Sequence, residues 1–365
     1  MTRQEEITAK IERARAYMAA RELDTLLLAG YGNFAWITAG GENHINAASE
    51  TGIAAILLTH ERALLLCDNI EAERLAAEQV ADGPWERVVT LWYEGRFAGG
   101  LASIGGGRLA ADIPLPGAES LGRDWLAVRA PLLPPEVERY RALGRDVGVA
   151  ITHTCFHLRP GLSEHQAAGM LAGTLRDLGI TAPVLLVAAD ERAALYRHPL
   201  PTARRIERYT MLIAGGRRQG LHVSITRLLH FGPPPDELRA RHRAVARIDA
   251  AFLAATQPGT RVGDILACGI EAYAAAGFSD EWRRHHQGGP TGYAARDYRA
   301  TTAADERVSE PQAFAWNPTL PGVKSEDTVL AWAQGVEVLS VTPDLPMERV
   351  EMGGRAFPRP GILKR

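Results

Sequence analysis

The sequence predicts an α+β protein of two domains, a small α/β domain followed by a larger α+β domain. Three observations carry this. The chain has 365 residues, against roughly 150 for one typical domain. Strand-length apolar runs alternate with helical apolar periods. A proline-rich break, Ala130–Pro135, interrupts both patterns and reads as a linker. The domains are placed at 1–132 and 133–350, with 351–365 as a C-terminal tail.

In the first domain, Ile7, Ile11, Ala14 and Met18 share one face of a helix over Glu5–Arg21. Thr25–Ala29 is a short strand running into a glycine-bounded aromatic loop, YGNFAWITAGG. Ile53–Leu58 and Ala63–Cys67 are strands joined by the turn Thr59–Arg62. Asn69–Ala81 reads as helix, Arg87–Trp92 as strand, and the triple glycine in Leu101–Gly107 as a turn. In the second domain, Val137, Tyr140, Leu143, Val147 and Ile151 set the period of a helix over Glu136–Phe156. Ser163 and Gln166 have capping-box spacing at the start of the next helix. Val184–Ala188, Tyr209–Ala214 and Leu221–Phe231 are strand-like. Asp236–Thr256 and Val262–Ala276 are helices, and short extended stretches follow Pro290.

Composition narrows the function classes. The 41 basic residues nearly balance the 43 acidic ones, for a net charge of -2, which argues against a nucleic-acid binder. Only Lys10, Lys324 and Lys364 are lysines, so a lysine-based mechanism has few candidates. Arginine gives a planar fork for carboxylates and is a poor proton carrier. Three distant cysteines, Cys67, Cys155 and Cys268, support neither a disulfide framework nor a thiolate zinc site, and buried thiols are expected. Apolar runs such as Ile53–Leu58 reach six residues, far below the roughly 20 of a membrane span. The N-terminus lacks a signal-peptide pattern, so a cytoplasmic location is expected, with no membrane partner. Nine of the 11 histidines lie at or after His153, which directs the search for chemistry to the second domain.

Several segments there occur in a familiar order: EVERYRALGRDVGVAI, GLSEHQAAGML, MLIAGGRRQGLHVSITRLLHFG, HHQGGPTGY and PGVKSEDTVLA, with TLLLAGYGNFAWITAGG upstream. Over nearly the whole chain this resembles peptidase family M24, the creatinase, prolidase and Xaa-Pro aminopeptidase superfamily. The resemblance implies a pita-bread C-terminal domain behind a creatinase-like N-terminal domain. Active metallopeptidases of the family hold two metals with two Asp, one His and two Glu. Here the matching positions read Ile213 (or Ala214), Ser224, Gly289, Asn317 and Glu326. Ile, Ala and Gly cannot ligate, and one carboxylate cannot neutralise two dications. No family-type metal and no cofactor is therefore expected. A different single-metal site on His198, His285, His286 and Glu326 stays open.

The same resemblance implies roles for individual residues. His198, in LYRHPLPT, matches the histidine that transfers protons in the metal-free, creatinase branch. Glu326 is expected to orient it or to pair with a substrate cation. His285 matches the leading histidine of the H-x-x-x-H segment and is the third catalytic candidate. His222 and Ser224 share one face of a strand by alternation. With His286, Tyr293, Arg296, Trp316 and Asn317 they form the expected substrate-binding set, while Asp327 is expected to face away. The expected activity is a metal-independent, creatinase-like hydrolase that cleaves a C–N bond in a small guanidino, amide or amino-acid-like substrate. The alternatives are an Xaa-Pro metallopeptidase, a lyase using the same base, and a non-catalytic binding protein. Family relatives imply a homodimer in which one N-terminal domain covers the neighbouring active site, through Asn43–Asn46 or Trp92–Arg96.

Overall fold

The computed structural model describes residues 1–95, 97–103 and 106–365. Arg96 of the expected dimer loop and Gly105 of the glycine run lie outside them. The chain forms two compact units, residues 1–138 with 219–221, and residues 139–218 with 222–365.

The first unit holds a sheet of β1 (Thr25–Gly30), β2 (Thr51–Thr59), β3 (Ala63–Asp68), β4 (Glu86–Thr90), β5 (Leu109–Ala111) and β6 (Ala118–Ser120), ordered β4-β3-β2-β1-β5-β6. β1 and β3 are buried over nearly their full length, which is why they read as unbroken apolar runs rather than alternating ones. The helix Arg3–Ala20 buries Ile7, Ile11, Ala14 and Met18 as expected. It also buries Lys10, between Glu6 at 2.6 Å and Glu136 at 2.8 Å.

Two local expectations fail here. The stretch expected as a loop contains a helix, Tyr31–Ile37, because Phe34, Ala35, Trp36 and Ile37 are driven into the core together. Its entry is held by Asp112, which accepts from Ala29 N at 2.7 Å and Gly30 N at 3.0 Å. The helix expected over Asn69–Ala81 shrinks to Ala72–Arg74 and one π turn, Leu75–Gln79. Asp68 Oδ1 turns the chain first, accepting from Ile70 N and Glu71 N.

The second unit contains the helices Pro134–His157 (from residue 139 on), Glu164–Asp177, Asp236–Ala255 and Val262–Ala275. Its strands are β7 (Thr181–Ala189), β8 (Tyr209–Arg218), β9 (Leu221–His230), β10 (Gly288–Thr291), β11 (Gln312–Trp316), β12 (Thr319–Leu320), β13 (Val323–Lys324), β14 (Asp327–Trp332), β15 (Gly335–Val338), β16 (Met347–Met352), β17 (Arg355–Pro360) and β18 (Ile362–Lys364). They make two four-stranded sheets, β18-β9-β8-β7 and β10-β11-β14-β15, and two small hairpins. Phe252, Ile248, Val245, Phe314, Trp316 and Val329 form the centre of the core. Each such side chain contributes about 1.5–3 kcal/mol through burial. Ser163 and Gln166 form the expected capping box.

The segment 351–365 is not a tail. β17 pairs with β16, and β18 pairs in parallel with β9. Arg359 is 1% exposed and inserts between Asp327 and Asp249, 2.9 Å from the latter. A buried guanidinium needs such carboxylates, and both lie too far away in sequence for a local pattern to reveal them. Cys67 and Cys155 are buried as expected, whereas Cys268 is exposed on the outer face of its helix.

Candidate active site

A cavity of about 600 Å³ opens in the second unit. β7 and β8 give it an apolar wall of Pro183, Val184, Leu186, Ile213 and Ala214. His222 and Ser224 of β9 both face it, as strand alternation requires. The remaining polar groups come from connections: His198 after β7, His286 before β10, Arg296 and Arg299 after β10, and Asn317, Lys324 and Glu326 between β11 and β14.

The loop bearing His198 is pinned by Glu164, the acidic residue of the GLSE segment. Glu164 is buried and accepts from Ala189 N at 2.7 Å, Thr202 N at 2.9 Å and Thr202 Oγ1 at 2.6 Å, and it pairs with Arg192. Arg197 pairs with Glu281 at 2.5 Å, joining the loop to the turn that precedes His285.

His198 Nε2 lies 3.1 Å from His285 Nε2, and the His285 ring stacks on that of His286 with centroids 4.5 Å apart. Burial, then the positive charge of Lys324, lowers the pKa of His198 below its ordinary value. Burial with Lys324 pushes His285 down to about 2, and burial with Arg296 pushes His286 down to about 4. All three rings are neutral at neutral pH, so one of the facing Nε2 atoms donates and the other accepts. His198 is thus an exposed, unprotonated base with a buried imidazole partner.

Glu326 is 3% exposed and fully engaged. Thr226 Oγ1 donates to Oε2 at 2.7 Å, Lys324 Nζ lies 2.8 Å from Oε2, and Arg296 donates to Oε1 at 3.2 Å. Burial raises the carboxyl pKa, but Lys324 and Arg296 outweigh that and hold it at about 2. Arg296 also donates to Ser224 Oγ at 3.1 Å. Its guanidinium therefore bridges two positions that the family resemblance assigns to metal ligands. Asp327 faces the other way, as expected, into a sealed cluster where Arg227 lies at 2.8 Å and Arg359 and Asp249 complete the network.

The cavity therefore gathers His198, His222, Ser224, His286, Arg296, Asn317 and Glu326 from the expected set, with His285 immediately behind His198. Besides His285, two expected residues fall outside it. Trp316 is core: it stacks on Phe252 at 4.8 Å and donates Nε1–H to Thr256. It and Asn317 are successive residues, so when Asn317 faces the cavity Trp316 faces the helix Asp236–Ala255. Tyr293 is 1% exposed and does not line the cavity. Glu326, expected to orient His198 or to pair with a substrate cation, lines the cavity with Lys324 and Arg296 already paired to it. Sequence reasoning passed over Lys324, Arg299 and Glu164. The scarcity of lysine was the available signal for Lys324: two of the three lysines, Lys10 and Lys324, are buried in ion pairs.

Fold and site together define a two-domain protein with a pita-bread domain behind a creatinase-type domain. Residues 138–332 match the model of metallopeptidase family M24, and residues 10–112 match the creatinase/prolidase N-terminal domain. The chain belongs to metallopeptidase family M24, a family of hydrolases. No curated protein sequence matches it significantly. Among solved structures it is similar to an Xaa-Pro dipeptidase from Bacillus anthracis, with 18% identity, TM-score 0.77, and 98% of this chain and 100% of that one covered. It is similar to the prolidase from Pyrococcus horikoshii, with 18% identity, TM-score 0.76, and 91% and 98% covered. The N-terminal domain of a FACT complex subunit from chickpea, Cicer arietinum, has 11% identity and TM-score 0.70, with 94% and 97% covered. At these identities the likeness is one of fold.

The family implies metal ions, and the side chains present do not fit them. Ile213 and Ala214 are apolar, Ser224 is bonded to Arg296, and Glu326 is neutralised twice over. Gly289 has φ 146°, and a Cβ there would lie 2.8 Å from the carbonyl oxygen of Tyr298, so the position has no room for a histidine. Ring nitrogens of His198, His285 and His286 do lie within 4.8 Å of one another. That cluster contains no carboxylate, and Lys324, a cation, acts on all three rings, which disfavours a dication. Among the described residues, no helix is long and apolar enough to cross a membrane.

Proposed function

We propose that the protein is a metal-independent, creatinase-like hydrolase that cleaves a C–N bond in a small guanidino, amide or amino-acid-like substrate. His198 takes the proton of an attacking water and returns it to the leaving nitrogen. His285 holds the His198 ring and shares its proton. Glu326 fixes Lys324 and Arg296 at the floor, and His222, Ser224, His286 and Asn317 take the polar groups of the substrate. One observation carries this reading: a neutral, exposed imidazole with an imidazole partner stands beside a centre whose ligand positions hold apolar groups and ion-paired side chains.

The test is turnover of guanidino acids, N-acyl amino acids and proline dipeptides by chelator-treated protein. Turnover is expected to survive chelation. His198→Ala is expected to lower kcat by roughly 10²–10⁴-fold at an unchanged unfolding midpoint. An unaffected kcat would overturn the mechanism.

A second reading, an Xaa-Pro metallopeptidase, is favoured by the names of the structural neighbours. Cleavage of proline dipeptides only with added manganese would establish it. A homodimer belongs to the first reading. Exposed Ile45, Trp92 and Tyr93, in or beside the loops expected to reach a neighbour, support it, and light scattering of the purified protein tests it.

A further inference from the structure

We infer that the cavity around the positions the family uses for metal ligands is an anion subsite, in which Lys324, Arg296 and Arg299 hold an oxyanion group of the ligand, a carboxylate or a phosphate. This rests on the metal-free reading of the site and names the chemistry that replaces the metals.

The first ground is charge. Three side-chain cations line the cavity, and among the described residues Glu326 is its one carboxylate. Glu326 is shared between Lys324 at 2.8 Å and Arg296 at 3.2 Å. Arg299 is exposed at the cavity and makes no ion pair among the described residues. The cavity histidines do not remove the surplus, since a carboxylate would be needed for that. Low-dielectric walls of Val184, Leu186 and Ile213 strengthen the field of this surplus inside the cavity.

The second ground is an unfilled hydrogen bond. Asn317 is 2% exposed and lines the cavity, yet its buried Oδ1 has no partner. A buried polar atom is costly to leave unpaired, and an N–H on the ligand satisfies it. The ligand class is therefore a small anion carrying a neighbouring N–H.

The third ground is substitution in place. Where the family needs ligands for dications, Arg296 bonds Ser224 and Glu326 together. The positive charge belongs to the chain itself, so an anion needs no metal to bind.

The experiment is calorimetric titration of the chelator-treated full chain with inorganic phosphate, with acetate and, separately, with manganese chloride. Saturable one-to-one binding of phosphate or acetate, weakened at least tenfold in Arg299→Ala, supports the inference. The better-bound anion identifies the source of the oxyanion. Arg299 is exposed, so that variant is expected to fold; Lys324→Met, checked by its unfolding midpoint, is the second. If neither anion binds and manganese also fails to bind, the anion subsite is overturned while the metal-free reading stands. If anion binding is unchanged in Arg299→Ala and in folded Lys324→Met, the ion sits elsewhere and the subsite is again overturned. If manganese binds and anions bind only with it, both readings fall.

Discussion

Two charged clusters of the second unit meet at consecutive residues, Glu326 and Asp327, and they are built on opposite terms. Behind Asp327, two carboxylates face two guanidinia: Asp249 and Asp327 against Arg227 and Arg359, none more than 3% exposed. In front, Glu326 faces Lys324 and Arg296, with Arg299 beyond, at the edge of an open cavity. The rear cluster is balanced and sealed, which is what a buried ion network requires in order to persist. The front cluster is unbalanced and accessible. Under the proposed anion subsite, the contrast separates structural charge from charge kept for a ligand.

The largest expected effect breaks the rear cluster. Asp327→Ala leaves Arg227 buried without its carboxylate and Arg359 with Asp249 alone among the described residues, and should cost about 3–5 kcal/mol of stability, read by denaturant unfolding. The matching change in front, Glu326→Gln, should cost less, about 1–3 kcal/mol, because Lys324 and Arg296 can turn to cavity water. Equal losses would show that the front cluster is also structural, and would remove the main argument for a ligand there.

Much of this contrast was written in the sequence, and the reason some was not is physical. The order of the segments identified the fold, and the four altered ligand positions were visible one by one. His198, Glu326 and the shared face of His222 and Ser224 followed from motif position and strand alternation. What was hidden depended on distance along the chain. Arg359 reaches Asp327 and Asp249 only after β17 has folded back on β16.

 The partner of Asp249 is thus more than a hundred residues away in a segment that reads as a tail. Trp316 and Asn317 are neighbours in sequence with opposite surroundings, which only the register of β11 resolves. The short helix Tyr31–Ile37 gave no helical period because seven residues cover too few turns to show one.

Acid should separate the clusters by a smaller margin. The folded-state pKa of His286 is depressed to about 4 and that of His198 is lowered, both from an ordinary 6.5. The unfolded chain therefore binds more protons below pH 6.5, so the stability from these neutral rings is present above that pH and is lost as pH falls towards 4. Glu326, held at about 2 from 4.5, contributes to acid loss only below its ordinary value, which leaves the window to the histidines. Unfolding midpoints should fall between pH 6.5 and 4.5, and His286→Asn should flatten the slope. In the proposed mechanism His198 works unprotonated, so turnover should fall on the acid side as well. A flat profile in the wild-type protein would mean that the rings are not held neutral by burial and the neighbouring cations.

The smallest effect concerns neither cluster but the element that sets their distance from the base. Ser163→Ala removes the cap of the helix Glu164–Asp177 and should cost about 1 kcal/mol. Glu164 still accepts from Ala189, from Thr202 twice and from Arg192, so the loop bearing His198 should stay in place and kcat should remain within about twofold, since a well-separated site adds independently. A loss of kcat beyond tenfold at an unchanged KM would show that the position of His198 depends on the start of this helix, and that the cavity side is held less firmly than the four bonds to Glu164 imply.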